Sequence, residues 1–131
     1  MTSGRLMICL FALAASRSVA LDGDPVEGAR HFAVNCSACH GTDAQGSGPM
    51  TDILSIAPPD LTQLQTGDAF PMADVVRKVD GRDLIGHGGP MPVFGAILED
   101  KSAVVDDAFG TPVFTSQPVL DIATWLASIQ R

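Results

Sequence analysis

Cys36-Ser37-Ala38-Cys39-His40 constrains this chain more than any other stretch. Two thiols three residues apart, with a histidine directly after them, form the pattern of covalent haem attachment. Each thiol adds across one vinyl group to make a thioether, and the two-residue spacer sets both sulfurs on one helical turn. His40 then lies under the iron. There a neutral imidazole nitrogen is a good ligand, and the tether makes its coordination nearly intramolecular. A zinc half-site or a thiol redox pair is the alternative reading. Zinc needs further ligands, and the other two histidines, His31 and His87, do not stand at finger-like spacing. A redox CxxC needs a strand-helix-strand setting that the flanking residues do not supply.

The N-terminus assigns a compartment. Arg5 precedes an apolar run from Leu6 to Ala15, and Ser18-Val19-Ala20 is a small-x-small cleavage site. Residues 1–20 therefore read as a signal peptide for export to the periplasm, and residues 21–131 as one small domain. The apolar run of ten residues is too short to cross a bilayer, which takes about 20. Cys9 departs with the leader, leaving only the two motif thiols, as suits an oxidising compartment. Loss of Arg5 and Arg17 also sharpens the charge. The full chain sets eight Lys plus Arg against fifteen Asp plus Glu, and the shortened one sets six against fifteen, a formal charge of −9. That balance argues against nucleic acid or an anionic membrane as partner and for redox proteins with basic docking surfaces. A merely solubilising charge explains it equally well.

Helical periodicity brackets the motif. Asp24 followed by Pro25 opens a first helix that runs to Asn35 and feeds into Cys36, with Gly28 and Phe32 on the same face as that cysteine. Gly41 to Gly48 reads as a loop, Pro58-Pro59 as extended chain, and Leu61 to Gln65 as a helical turn. A helix is predicted from about Pro71 to Val79, with Gly81 as its stop. Gly86 to Gly95 is too rich in Gly and Pro for a regular element, and it holds Met91 stiffly between two prolines. Residues 99–116 are acidic and irregular, with a short helix around Lys101 to Ala108 or an exposed insertion as the expectations. Thr115-Ser116-Gln117-Pro118 opens a last helix with a capping hydroxyl, and its apolar stripe is Val119, Ile122, Leu126 and Ile129 with Trp125 beside it.

On these residues the chain resembles a small class I c-type cytochrome of the bacterial periplasmic kind. Gly28, Phe32, Cys36, Cys39, His40, Gly41, Gly48-Pro49, Met91-Pro92 and Trp125-Leu126 follow one another in the family's order. The resemblance implies an all-α fold with long loops, in which the N- and C-terminal helices cross around one covalently bound haem c, Gly28 permitting the close approach. It implies that a carbonyl such as that of Pro49 accepts the Nδ1 proton of His40. It also implies that Met91 is the sixth iron ligand, which would raise the reduction potential. His87, Met72 and Met50 are rivals for that place, the two methionines also reading as gap fillers in the core. Arg77, Arg82 and Trp125 are candidates for the propionates. The expected function is that of a monohaem carrier of single electrons between periplasmic partners, monomeric, without a membrane span and not an enzyme. The alternatives are a haem c subunit docked to a periplasmic dehydrogenase or oxidase, and a haem peroxidase or ligand sensor with an open iron position. A methionine in a rigid loop argues against the last.

Overall fold

The computed structural model describes residues 22–82 and 91–131. The signal-peptide expectation for residues 1–20, and the rival ligand His87, lie outside the described residues. Helix α1 spans Pro25–Asn35. Its first-turn amides need acceptors, and the Asp24 carboxylate takes two of them, from Val26 at 2.8 Å and Glu27 at 3.3 Å. After Cys36 the chain makes one further turn, α2, over Ser37–His40. Gly41 ends it with φ 77°, a left-handed angle that suits glycine.

Helix α3 covers Met72–Asp80 and buries Val75, Val76 and Val79, as its predicted stripe requires. Gly81, at φ 69°, stops it and donates its N–H to the Arg77 carbonyl at 3.0 Å. Helix α4 covers Gln117–Ser128 and buries Val119, Ile122 and Leu126. The expected capping hydroxyl does not act. Ser116 Oγ is buried without a hydrogen-bond partner, and the first amide of α4, on Gln117, bonds instead to the Lys101 carbonyl at 2.8 Å.

Helices α1 and α4 pack together over Gly28. A Cβ placed on that residue would run into the Asp121 carbonyl and stand 2.8 Å from Trp125 Cβ, so only glycine lets the two backbones approach this closely. Phe32, Val76, Val119 and Ile122 are the largest fully buried side chains, and they join α1, α3 and α4 in one core.

Residues 99–116 depart from the expectation. They hold neither a helix nor a loose insertion but an antiparallel hairpin, strand β1 (Ser102–Asp106) pairing with β2 (Pro112–Ser116) in the register Val104 opposite Phe114. Among the described residues the fold is therefore helical with one β-hairpin, and the all-α expectation is corrected to that extent. The reason is local. Val104, Val105, Val113, Phe114 and Thr115 are β-branched or aromatic, and Ala103 and Thr115 turn inward while Val104 and Phe114 face solvent. Asp107 and Gly110 build the turn, where the Asp107 carboxylate accepts the amides of Phe109 and Thr111, both at 2.9 Å. Among the described residues no helix is long and apolar enough to cross a membrane.

Candidate functional site

Cys36, Cys39 and His40 share one turn because α1 ends by handing its last hydrogen bonds to them. The Cys36 N–H donates to Phe32 at 2.9 Å, and the N–H groups of Cys39 and His40 both donate to the Cys36 carbonyl, at 3.1 and 2.9 Å. The following loop folds back over this turn and takes its free carbonyls. Gly46 donates to His40 at 2.8 Å, Gly48 to Cys39 at 3.1 Å and Met50 to Ala38 at 2.9 Å. Gly48 is required there, since a Cβ would stand 2.6 Å from the Cys39 carbonyl carbon. The turn is thus locked at both ends before any ligand is considered.

Neither thiol is in a disulfide. Burial, with Cys39 adding a smaller effect, pushes the Cys36 thiol up to about 12, so it stays neutral. Burial also lowers the pKa of His40, against a smaller upward pull from the Pro59 carbonyl, and the neutral imidazole is the form that binds a metal. His40 Nδ1 is buried and closes no hydrogen bond of full geometry, yet the carbonyl facing the ring is that of Pro59. This corrects the choice of Pro49, which is exposed in the loop beside α2. The positioning of Pro59 follows from chain path: Leu61 donates to the Ala44 carbonyl at 2.8 Å, drawing the double-proline segment under the loop.

Phe32 connects this turn to the terminal helices. Its ring centroid lies 6.4 Å from that of His40 and 4.5 Å from that of Trp125, both tilted. Met91 is half-buried against the same core, just ahead of a single helical turn at Phe94–Ala96 whose Phe94 is buried. Met72 likewise packs partly buried on the core, as a filler, while Met50 is 41% exposed. Two of the three propionate candidates are already engaged with carboxylates. Arg77 pairs with Asp107 at 2.9 Å and Asp74 at 3.2 Å, and Arg82 pairs with Asp80 at 2.7 Å.

The residues present fit a haem. Two free thiols and a neutral imidazole occupy one locked turn, with a ring nitrogen that lacks a closed partner. Ile53, Ile56, Val93 and Ile97 stand exposed on the loops that follow His40 and Met91, apolar surface that a flat apolar group would cover. Zinc fits less well, since among the described residues no three His, Cys, Asp or Glu side chains gather as metal ligands would.

Comparison with known proteins agrees. The family model described as Cytochrome c matches residues 25–130. No curated protein sequence matches the chain significantly. Among solved structures the chain is similar to a chain of the Kuenenia stuttgartiensis reducing HAO-like protein complex Kustc0457/Kustc0458, with a TM-score of 0.56 and 21% identity. That match covers 82% of this chain and 44% of the other, so this chain spans less than half the length of its structural neighbour, and the likeness bears on the fold alone.

Proposed function

This chain belongs to the cytochrome c family and is a haem c electron-transfer protein, and from that premise we propose that it carries single electrons between redox proteins of the periplasm, with His40 and Met91 as the residues that would bind its iron. Haem c supplies the iron, whose one-electron change between ferric and ferrous states is the whole of the chemistry. The protein fastens it through Cys36 and Cys39. The Pro59 carbonyl is the acceptor that faces His40, and a bond from Nδ1 to it would fix the tautomer and make the other ring nitrogen a better donor. Met91 contributes a thioether, which favours ferrous iron and raises the potential. No substrate is turned over.

The observation that carries this reading is the locked turn that sets two free thiols beside one neutral, half-buried imidazole. Absorption spectra of the exported protein in both oxidation states, with and without cyanide or carbon monoxide, test it. Low-spin spectra with a methionine-iron band and little response to either ligand are expected. High-spin iron that binds both avidly would move the protein to the peroxidase or sensor class.

A second reading, a haem c unit docked to a larger periplasmic oxidoreductase, is favoured by one observation. Phe109, 94% exposed, and Phe114, 74% exposed, stand bare on the hairpin. A free carrier docks briefly on a basic partner through charge, so its second-order rate falls steeply as salt is added, the Debye length being already about 8 Å at physiological ionic strength. A docked unit instead hides such aromatics in a larger apolar contact and survives high-salt washes with its enzyme.

A further inference from the structure

At the C-terminal end of α3, Asp80 is only 5% exposed, although a carboxylate in that position must find donors or neutralise. It finds four. Arg82 approaches with Nε at 2.7 Å and Nη2 at 2.8 Å, a fork that holds both carboxylate oxygens, and its backbone N–H lies at 3.3 Å. Thr115, from β2, donates its hydroxyl at 2.7 Å. Directly against this group lies Gly95, in the turn that follows Met91. A Cβ there would collide with the Asp80 carboxylate and stand 2.5 Å from Arg82 Nε.

We propose that Asp80 is a positioning residue for Met91, acting through Arg82, Thr115 and the seat it offers Gly95; the proposal rests on Met91 being the distal ligand. One carboxylate holds the Arg82 guanidinium and with it forms the surface on which the backbone of Gly95 rests, four residues after Met91. Backbone seated that closely keeps little conformational freedom, so the residues next to it are presented in one register. This matters for a thioether more than for an imidazole. A neutral, weak ligand holds its place against water only if the protein has already oriented it, and directional hydrogen bonds fix a register that apolar contacts leave free to slide. Burial raises the pKa of Asp80, but the Arg82 and Thr115 bonds outweigh it and keep the carboxyl below its ordinary value, hence ionised as the fork requires.

The proposal separates holding the sulfur from holding the fold. In the haem-loaded protein, Asp80→Asn, Thr115→Val and Gly95→Ala should each weaken the methionine-iron band, lower the reduction potential and tighten cyanide binding to the ferric form. For Asp80→Asn the gain is about tenfold, corresponding to about 1.4 kcal/mol of lost orientation. Thr115→Ser keeps the hydroxyl and should behave as the parent. Ile122→Val, a core change away from the carboxylate, should lower the unfolding midpoint without changing cyanide affinity. Met91→Ala serves as the reference. If it opens the iron while Asp80→Asn, Thr115→Val and Gly95→Ala leave cyanide affinity and potential unchanged, or if Ile122→Val shifts them equally, the positioning role is overturned. If Met91→Ala itself has no effect, the ligand assignment fails and takes the proposal with it.

Discussion

The side of the molecule carrying α2 and the side carrying Met91 are held by different forces. Around α2 the work is done by close backbone approach. Gly28 seats α4 against α1, Gly48 seats the loop against Cys39, and the stray carbonyls of the turn are taken by amides from the same loop. Around Met91 it is done by charged side chains, with Asp80 gripping Arg82 and Thr115, and Arg77 reaching Asp107 across to the hairpin. A ligand fixed by covalent neighbours needs only a rigid turn. Met91, the second ligand proposed above, has no such tether and depends on the backbone near it being held. The contrast implies that the first side tolerates changes of charge and no added bulk, and that the second is sensitive to the loss of a charge or a hydrogen bond as well as to bulk at Gly95.

The largest effect should come from the first side. Replacing both Cys36 and Cys39 by Ser should abolish covalent attachment, so that acid and organic solvent extract all haem from the denatured protein. Extraction of haem from the unaltered protein would break the scheme. Next, Met91→Ala should remove the methionine-iron band, lower the potential and admit cyanide and carbon monoxide. Finding this instead with Met72→Ala or His87→Ala would move the distal ligand elsewhere. Third, Gly28→Val should destabilise by overpacking, typically about 1 to 3 kcal/mol, read as a lower unfolding midpoint. Gly110→Ala, in the open hairpin turn at φ 77° with nothing within 4 Å, should suffer only backbone strain of about 1 kcal/mol. Equal losses would erase the distinction between the two sides.

The smallest difference appears in acid. The Thr111 amide first, then the Arg77 guanidinium and the Phe109 amide, hold Asp107 below its ordinary pKa, and Asp80 is lowered too. Carboxyls depressed in the folded state stabilise it above their unfolded pKa, about 3.9, and that contribution is lost as pH falls through their folded values. Acid should therefore loosen the hairpin and the Met91 band before the α1 and α4 amides lose protection from hydrogen exchange. Simultaneous loss would show that the two sides unfold as one unit.

The sequence made the first side readable because its causes are local. CxxCH names its own chemistry, Asp24-Pro25 announces a helix start, and a glycine one turn before Phe32 marks a close approach. The second side depends on partners far apart in the chain. Nothing near Asp80 announces that Thr115 will donate to it, and the pull of Pro59 rather than Pro49 on His40 is set by a bond between Leu61 and Ala44. The hairpin, by contrast, carries a local signal of its own. Val104-Val105 and Val113-Phe114-Thr115 alternate inward and outward around Asp107 and Gly110, a period-2 pattern hidden by the acidic character of the stretch.

The pairing of α1 with α4 also orders events in time. The Asp24 amide donates to the Asp121 carboxylate across 97 positions, and the face of α1 bearing Gly28 and Phe32 has no cover until that last helix exists. Contacts so distant in sequence form slowly, because a long loop must close before they stabilise anything. A growing chain therefore stays open, with its thiols accessible, until synthesis has passed α4. In the folded chain Cys36 is buried, so its sulfur is within reach of a prosthetic group before α4 docks and covered afterwards.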